Sequence, residues 1–167
     1  TLEGVKLRRA ETKLSRKFDL CTCTTRAELD ILRGLGTATE LDWFPNGVNT
    51  EYFKPGTEPK DPELLSFVGR MDYYPNQDAV FSFCGEALPR IRKARPGVKL
   101  VIVGANPSRQ VKDLESIPGV TVTGSVPDVR PHVLRSSVSV VPLQIARGTQ
   151  NKVLETLAMG IPTVVSD

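Results

Sequence analysis

Residues Pro142–Pro162, PLQIARGTQNKVLETLAMGIP, decide the fold. An apolar run, Val138–Leu143, breaks into a polar segment that contains Gly148. A helical pattern follows at once. Val153, Leu154, Leu157 and Ala158 recur at i, i+1, i+4 and i+5, which is the spacing of one apolar helix face. Gly160 is a natural stop, Pro162 forbids continuation, and Thr163-Val164-Val165 reads as the next strand. The loop Gln144–Thr149 therefore feeds a helix whose first free N–H groups come from Thr149, Gln150, Asn151 and Lys152. A helix start after a glycine offers a phosphate unpaired N–H donors and the positive end of the helix dipole, with Arg147 and Lys152 alongside. Glu155 sits about one turn in, where it could accept two hydrogen bonds from a vicinal diol such as a ribose. A plain surface helix with a Lys152–Glu155 ion pair, worth about 0.2–0.5 kcal/mol, explains the same residues.

Working outward, residues 2–17 read as a helix, Asp19–Thr24 as a strand, Ala27–Leu35 as a helix closed by Gly36, and Leu41–Phe44 as a strand. Pro45-Asn46-Gly47-Val48 is a turn signal. The stretch KPGTEPKDP has no regular period and reads as a linker. The expected organisation is 1–53 as one domain piece, 54–62 as linker and 63–167 as a second domain. In that second part, strands Leu64–Val68, Val98–Val103, Val120–Thr123, Ser137–Val141 and Thr163–Val165 alternate with helices at Asn76–Lys93, Ser108–Leu114, Asp128–Leu134 and the opening stretch. Such alternation with continuous Val/Ile/Leu runs predicts an α/β fold, a doubly wound parallel sheet covered on both faces. Right-handed crossovers make 3-2-1-4-5 the simplest strand order. Ligands bind where the winding reverses, beyond the carboxyl ends of the first and fourth strands. Gly69-Arg70-Met71-Asp72 and Gln144–Lys152 are the loops at that point, so Arg70, the Gly148 helix start and Glu155 converge.

Bulk properties narrow the class. The chain has 167 residues, 40% hydrophobic and 25% charged, an ordinary globular composition. It holds no apolar stretch of membrane-spanning length and no signal peptide. Beginning at Thr1 and ending directly after a strand, it is expected to be a piece of a longer protein. Net charge is +3, placed in one segment: residues 1–17 carry six basic against two acidic side chains, and the remainder carries 16 against 17. This pattern argues against a nucleic-acid surface and suits a solvated helix, or one in peripheral contact with a membrane surface. Cys21, Cys23 and Cys84 form no metal pattern, and as reduced thiols they suit a cytoplasmic protein. The single histidine, His132, has no partner in sequence, so neither metal nor Ser-His-Asp chemistry is supported.

In the crevice, Arg70 and Lys152 suit a diphosphate, Glu155 a ribose, and the Gly124-Ser125-Val126-Pro127 edge could offer backbone groups to a base. A dinucleotide oxidoreductase would need G-x-G-x-x-G with an acidic residue about 20 positions on. Neither Gly69-Arg70-Met71 nor Gly104-Ala105-Asn106 supplies that motif, and a P-loop is absent.

PNGVNTEYF, FVGRMD, VKLVIVGANP, VTVTGSVPDV and above all RGTQNKVLETLAMGIPTVV resemble GT-B glycosyltransferases of family four, the glycosyl transferases group 1. MDYYPNQDAV and IARGTQNKVLE look most like bacterial sugar transferases of PEP-CTERM/exosortase exopolysaccharide systems. The resemblance implies that 1–53 ends an acceptor domain and that 63–167 is most of a Rossmann-like donor domain. It also implies a nucleotide-diphosphate sugar as donor and a carbohydrate or lipid-linked acceptor. No cofactor or metal is implied, and transfer occurs with retained configuration at a cytoplasmic site, with the inner membrane face as a candidate location. The fragment alone is expected to be inactive. Glu155 matches the second glutamate of the family's Glu-x7-Glu motif, a ribose ligand, and Arg70 matches a diphosphate ligand. Gly69 precedes that arginine; Gly148, Thr149 and Asn151 fall at the phosphate-binding helix start, and the Val126 backbone at the base edge. Arg147 stands where the first glutamate, which touches the donor sugar, is expected. The family's lysine after the arginine falls at Pro75-Asn76, and Lys152 can replace it. Arg147 would grip either a uronic-acid carboxylate or the diphosphate. Two rivals stand beside a transferase: a sugar-nucleotide epimerase of the same architecture, and a nucleotide-binding module without catalysis.

Overall fold

A computed structural model describes residues 2–36, 39–146 and 148–166. The chain forms two compact units: one holds residues up to Gly47 together with Gly148 and Thr149, the other Val48–Ala146 and the segment from Gln150 onward.

The first unit contains α1 (Leu2–Ser15), β1 (Leu20–Cys23), α2 (Arg26–Arg33) and β2 (Glu40–Trp43). β1 and β2 pair in parallel, with Leu20 opposite Glu40 and Cys23 opposite Trp43. α2 begins at an N-cap: Thr25 Oγ1 accepts from the Glu28 N–H at 3.2 Å, while the Glu28 carboxylate accepts from the Thr25 and Thr24 hydroxyls, each at 3.1 Å. These hydroxyl donors hold the Glu28 carboxyl below its usual range. Gly148 and Thr149 pack here. The space beside Gly148 Cα is bounded by Thr24 Oγ1 and Glu28 Oε1, and the Asn46 amide donates to Thr149 O at 3.5 Å.

The second unit is the expected parallel sheet. Its strands are β3 (Asp61–Val68), β4 (Lys99–Val103), β5 (Val120–Val122), β6 (Ser136–Val141) and β7 (Thr163–Val165), in spatial order β5-β4-β3-β6-β7. Counted along the chain this is 3-2-1-4-5, with the reversal between β3 and β6. Both faces are covered, and Phe67, Leu100 and Ile102 are buried with Val80, Leu88 and Val111 in one core. A smaller cluster joins Val133, Met159 and Ile161. Among the described residues no helix is long and apolar enough to cross a membrane.

Four local expectations are corrected. β3 starts inside the stretch read as linker: Asp61 N–H donates to Arg135 O at 2.8 Å and Asp61 pairs with Ser136 before a register shift. A proline near a strand's start costs no essential ladder bond, so Pro62 is tolerated there. The helix expected at Asn76–Lys93 is interrupted. α3 (Tyr74–Ser82) passes into a π turn (Phe83–Ala87) and then α4 (Leu88–Ala94), with Leu88 N–H donating to Phe83 O. Pro89 has no N–H to give Gly85 O, which frees the ladder to slip by one residue. α5 (Arg109–Asp113) and α6 (Arg130–Leu134) are each shorter than read, α6 starting at Pro131's turn. Finally, α7 (Asn151–Ala158) turns Thr156 inward and leaves Leu157 54% exposed. The Thr156 hydroxyl is within 2.9 Å of Lys152 O and 2.8 Å of Thr163 Oγ1, so its polarity is satisfied where Leu157 was expected. α7 ends in a Schellman motif: Ile161 N–H reaches Thr156 O and Gly160 N–H reaches Leu157 O, with Gly160 at φ 70°.

Serines line the junction of β3 and β6. Ser66 and Ser136 hydroxyls meet at 2.8 Å, Ser136 Oγ donates to Val133 O at 2.6 Å, and both side chains are fully buried. Ser136→Ala leaves Ser66 without its hydroxyl partner, and a loss of about 1–2 kcal/mol in unfolding free energy is expected. Chemical denaturation checks this; an unchanged midpoint would show that the pair contributes nothing.

Candidate nucleotide-binding crevice

The crevice is built by chain reversal at the sheet's carboxyl edge. After β3, Gly69 N–H donates to Val103 O at 3.0 Å and Met71 N–H to Ala105 O at 2.8 Å, so the loops after β3 and β4 run pressed together. A Cβ on Gly104 would fall 1.8 Å from Gly69 O, closer than any real carbon approaches an oxygen. Met71 is completely buried and pins the first loop, which leaves Arg70 outside.

Arg70 projects with its side chain 73% exposed and grips Asp72 at two points, Nε–Oδ1 3.1 Å and Nη2–Oδ2 2.7 Å. The Asn106 amide donates to the same carboxylate at 3.1 Å. Hydrogen bonds from Arg70 and then Asn106 hold the Asp72 carboxyl down at about 2. Asn106 itself sits at φ 56°, a left-handed conformation that asparagine tolerates better than most residues.

From the opposite wall, α7 contributes Asn151, Lys152 and Glu155. Lys152 runs inward. Its Nζ donates to Asn76 Oδ1 at 2.7 Å and lies 4.8 Å from the centre of the Phe67 ring. Burial pushes the ammonium down to about 8, against an opposing pull from Glu155. The Glu155 carboxyl is raised by burial, with Lys152 acting the other way. No ion pair joins the two among the described residues, so the surface-pair explanation of Glu155 does not hold. Its carboxylate has no hydrogen-bond partner among the described residues.

Gly69, Arg70, Val126, Asn151, Lys152 and Glu155 line one cavity of about 640 Å³ together with Ser125 and Val129 on the loop after β5. These six residues, singled out in sequence, thus line one cavity. Gly148 and Thr149 belong to the first unit, and Arg147 lies outside the described residues. Sequence reasoning missed three groups. Asp72 carried a weak signal, a carboxylate two residues from the arginine. Asn106 carried none, and Asn76 was read only as the place of an absent lysine. In chemical terms the cavity offers a partly buried cation, an exposed guanidinium, a half-buried carboxylate and the backbone edge Ser125-Val126.

Residues 62–167 match the family model of the glycosyl transferases group 1, and the chain belongs to that family. Its sheet matches the Rossmann-like halves of GT-B glycosyltransferases. The pneumococcal O-GlcNAc transferase GtfA, solved with UDP and GlcNAc, superposes at TM-score 0.75 with 12% identity over 95% of this chain and 32% of its own. Sucrose-phosphate synthase from Thermosynechococcus elongatus gives TM-score 0.75 and 22% identity over 95% and 43%. Anabaena HepE in complex with UDP and glucose gives 0.71 and 13% over 95% and 47%. At these identities the likeness is one of fold, and the chain spans a third to a half of those structures. No curated protein sequence matches it.

Proposed function

We propose that the crevice holds the nucleoside diphosphate of a sugar donor, and that the chain serves a glycosyltransferase passing that sugar to a carbohydrate or lipid-linked acceptor. The observation that carries this reading is one cavity lined by Arg70, a partly buried Lys152 and, one turn further along α7, a half-buried Glu155 carboxylate that has no hydrogen-bond partner among the described residues. A carboxylate in such a cavity accepts hydrogen bonds, and a vicinal diol supplies two donors. Lys152 and Arg70 then face the diphosphate, and Ser125-Val126 faces the base. Chemistry in this reading is leaving-group stabilisation, with cations placed where charge grows as the glycosidic bond breaks. UDP, bound in the GtfA and HepE structures, is the first nucleotide to test. Transfer with retention is what the family resemblance implies, and a place in bacterial exopolysaccharide assembly is what the resemblance carried by MDYYPNQDAV and IARGTQNKVLE implies. A cytoplasmic site beside the membrane suits the basic face of α1.

Glu155→Ala should weaken nucleoside diphosphate binding by about 1.5–3 kcal/mol, the range for hydrogen bonds to a charged group. Isothermal titration of wild type and variant tests this, and equal affinities would remove the ribose role. The pH response follows from Lys152. Its folded pKa is depressed to about 8, so the cation is fully present below that pH and lost above it. Affinity should hold near neutrality and fall as pH rises through about 8, by at most tenfold per unit. The facing charges are Glu155 on α7 and Arg70 after β3. A flat profile across that window would contradict the assignment.

A further inference from the structure

Lysine is a poor fixed point: it carries a compact charge on a flexible four-carbon stem and has three donors to place. Here the ammonium lies over the ring of Phe67, 4.8 Å from its centre, and is held at 2.7 Å by Asn76 Oδ1. The holder is itself held. Asn76 is 6% exposed, at the start of α3, and its Nδ2 donates to Arg70 O at 2.9 Å. Because a carbonyl only accepts and an ammonium only donates, these two partners fix the amide in one orientation. Gly69 makes the room: a Cβ there would lie 2.8 Å from Asn76 Nδ2 and 2.9 Å from Lys152 Nζ. The backbone of Arg70 on one wall is thereby tied through one amide to Lys152 on the other.

An amide differs from a carboxylate at this position in two respects: it donates to Arg70 O, and it leaves the charge of Lys152 uncancelled. It orients the ammonium without cancelling its charge, whereas an aspartate of the same shape would form a buried ion pair. We propose that Asn76 is the positioning residue of the crevice, clamping Lys152 as an un-neutralised cation aimed at the donor diphosphate. This rests on the nucleotide reading of the crevice given above. It makes the anion site a three-part assembly of Gly69, Asn76 and Lys152 rather than a lone lysine. It also accounts for why Gly69 has no side chain.

The test is titration of UDP, GDP and ADP into the full chain carrying Asn76→Asp, Lys152→Asn, or the exchange Asn76→Lys with Lys152→Asn. Nζ and Oδ1 are 2.7 Å apart, so the exchange returns a cation to nearly the same point from the other side. Because Asn76→Asp also removes the donor to Arg70 O, its melting temperature is measured alongside, and it is expected to lower affinity tenfold or more. Lys152→Asn should lower it as far or further, and the exchange should recover most of that loss. A purely structural Asn76 would show no such rescue. Amine-selective NMR of Lys152 gives a ligand-free readout: Asn76→Asp should raise its pKa by at least one unit, whereas an unmoved titration overturns the clamp. If Asn76→Asp fails to fold, the exchange variant decides, and an exchange as weak as Lys152→Asn alone overturns the proposal. Wild type that binds none of the three nucleotides removes the nucleotide reading, and this inference with it. Wild type that binds, with loss in Lys152→Asn but unchanged affinity in Asn76→Asp, removes this inference alone.

Discussion

Gly104→Ala is expected to destabilise the second unit by about 3 kcal/mol or more, the range of substitutions that force backbone apart in a packed interior. The added carbon would sit 1.8 Å from Gly69 O and 2.8 Å from Gly69 C. Both are backbone atoms, so no rotamer change relieves the overlap. The β3 and β4 loops must separate, which strains the Gly69 N–H to Val103 O and Met71 N–H to Ala105 O bonds and the buried Met71 behind them. For a domain of about a hundred residues, such a loss lowers the melting temperature by roughly 12–24 °C. Calorimetry checks it, and a melting temperature within a few degrees of wild type would mean that the loops part without cost. Nucleotide binding should fall in parallel, since Gly69 and Arg70 move with the loop.

Lys152→Met separates binding from stability. The substitution nearly keeps the length of the side chain and puts an apolar group beside the Phe67 ring while removing the charge. Losing a charge-assisted contact with a diphosphate should cost roughly 2–3 kcal/mol, about 30–150-fold in affinity. Stability should move by less than about 1 kcal/mol, because relief from burying a cation offsets the acceptor left open on Asn76. Paired titration and denaturation measurements check both halves. Large destabilisation with unchanged binding would make Lys152 a structural residue and end its assigned role.

The sheet order was legible because each strand was a continuous apolar run and each crossover carried a helical period, and handedness leaves few ways to connect them. That order predicts that Arg70, the Gly148 helix start and Glu155 converge; Arg70 and Glu155 line one cavity, whereas Gly148 belongs to the first unit. What escaped notice was satisfied polarity. Thr156 displaced Leu157 from the buried face of α7 because its hydroxyl finds Lys152 O and Thr163 Oγ1, pairings that hydrophobic period does not record. Asp61 and Pro62 began a strand because Arg135 O and Ser136 lay alongside, in a partner segment far along the chain. The π turn depended on a single missing N–H at Pro89 inside an otherwise even apolar pattern. Asn76 and Lys152 are 76 residues apart, so their 2.7 Å contact exists only once the fold has reversed between β3 and β6. Gly148 and Thr149 were read with the helix that follows them, yet their neighbours are Thr24, Glu28 and Asn46 in the first unit.

In the proposed function, the crevice at the β3–β6 reversal binds a nucleoside diphosphate through Lys152 and Glu155. Isothermal titration of UDP, GDP and ADP into the chain and into the Lys152→Met, Glu155→Ala double variant tests it most directly. At least one nucleotide should bind the wild type, and the double variant should bind it at least a hundredfold more weakly. No binding by the wild type, or equal binding by both proteins, would contradict the account.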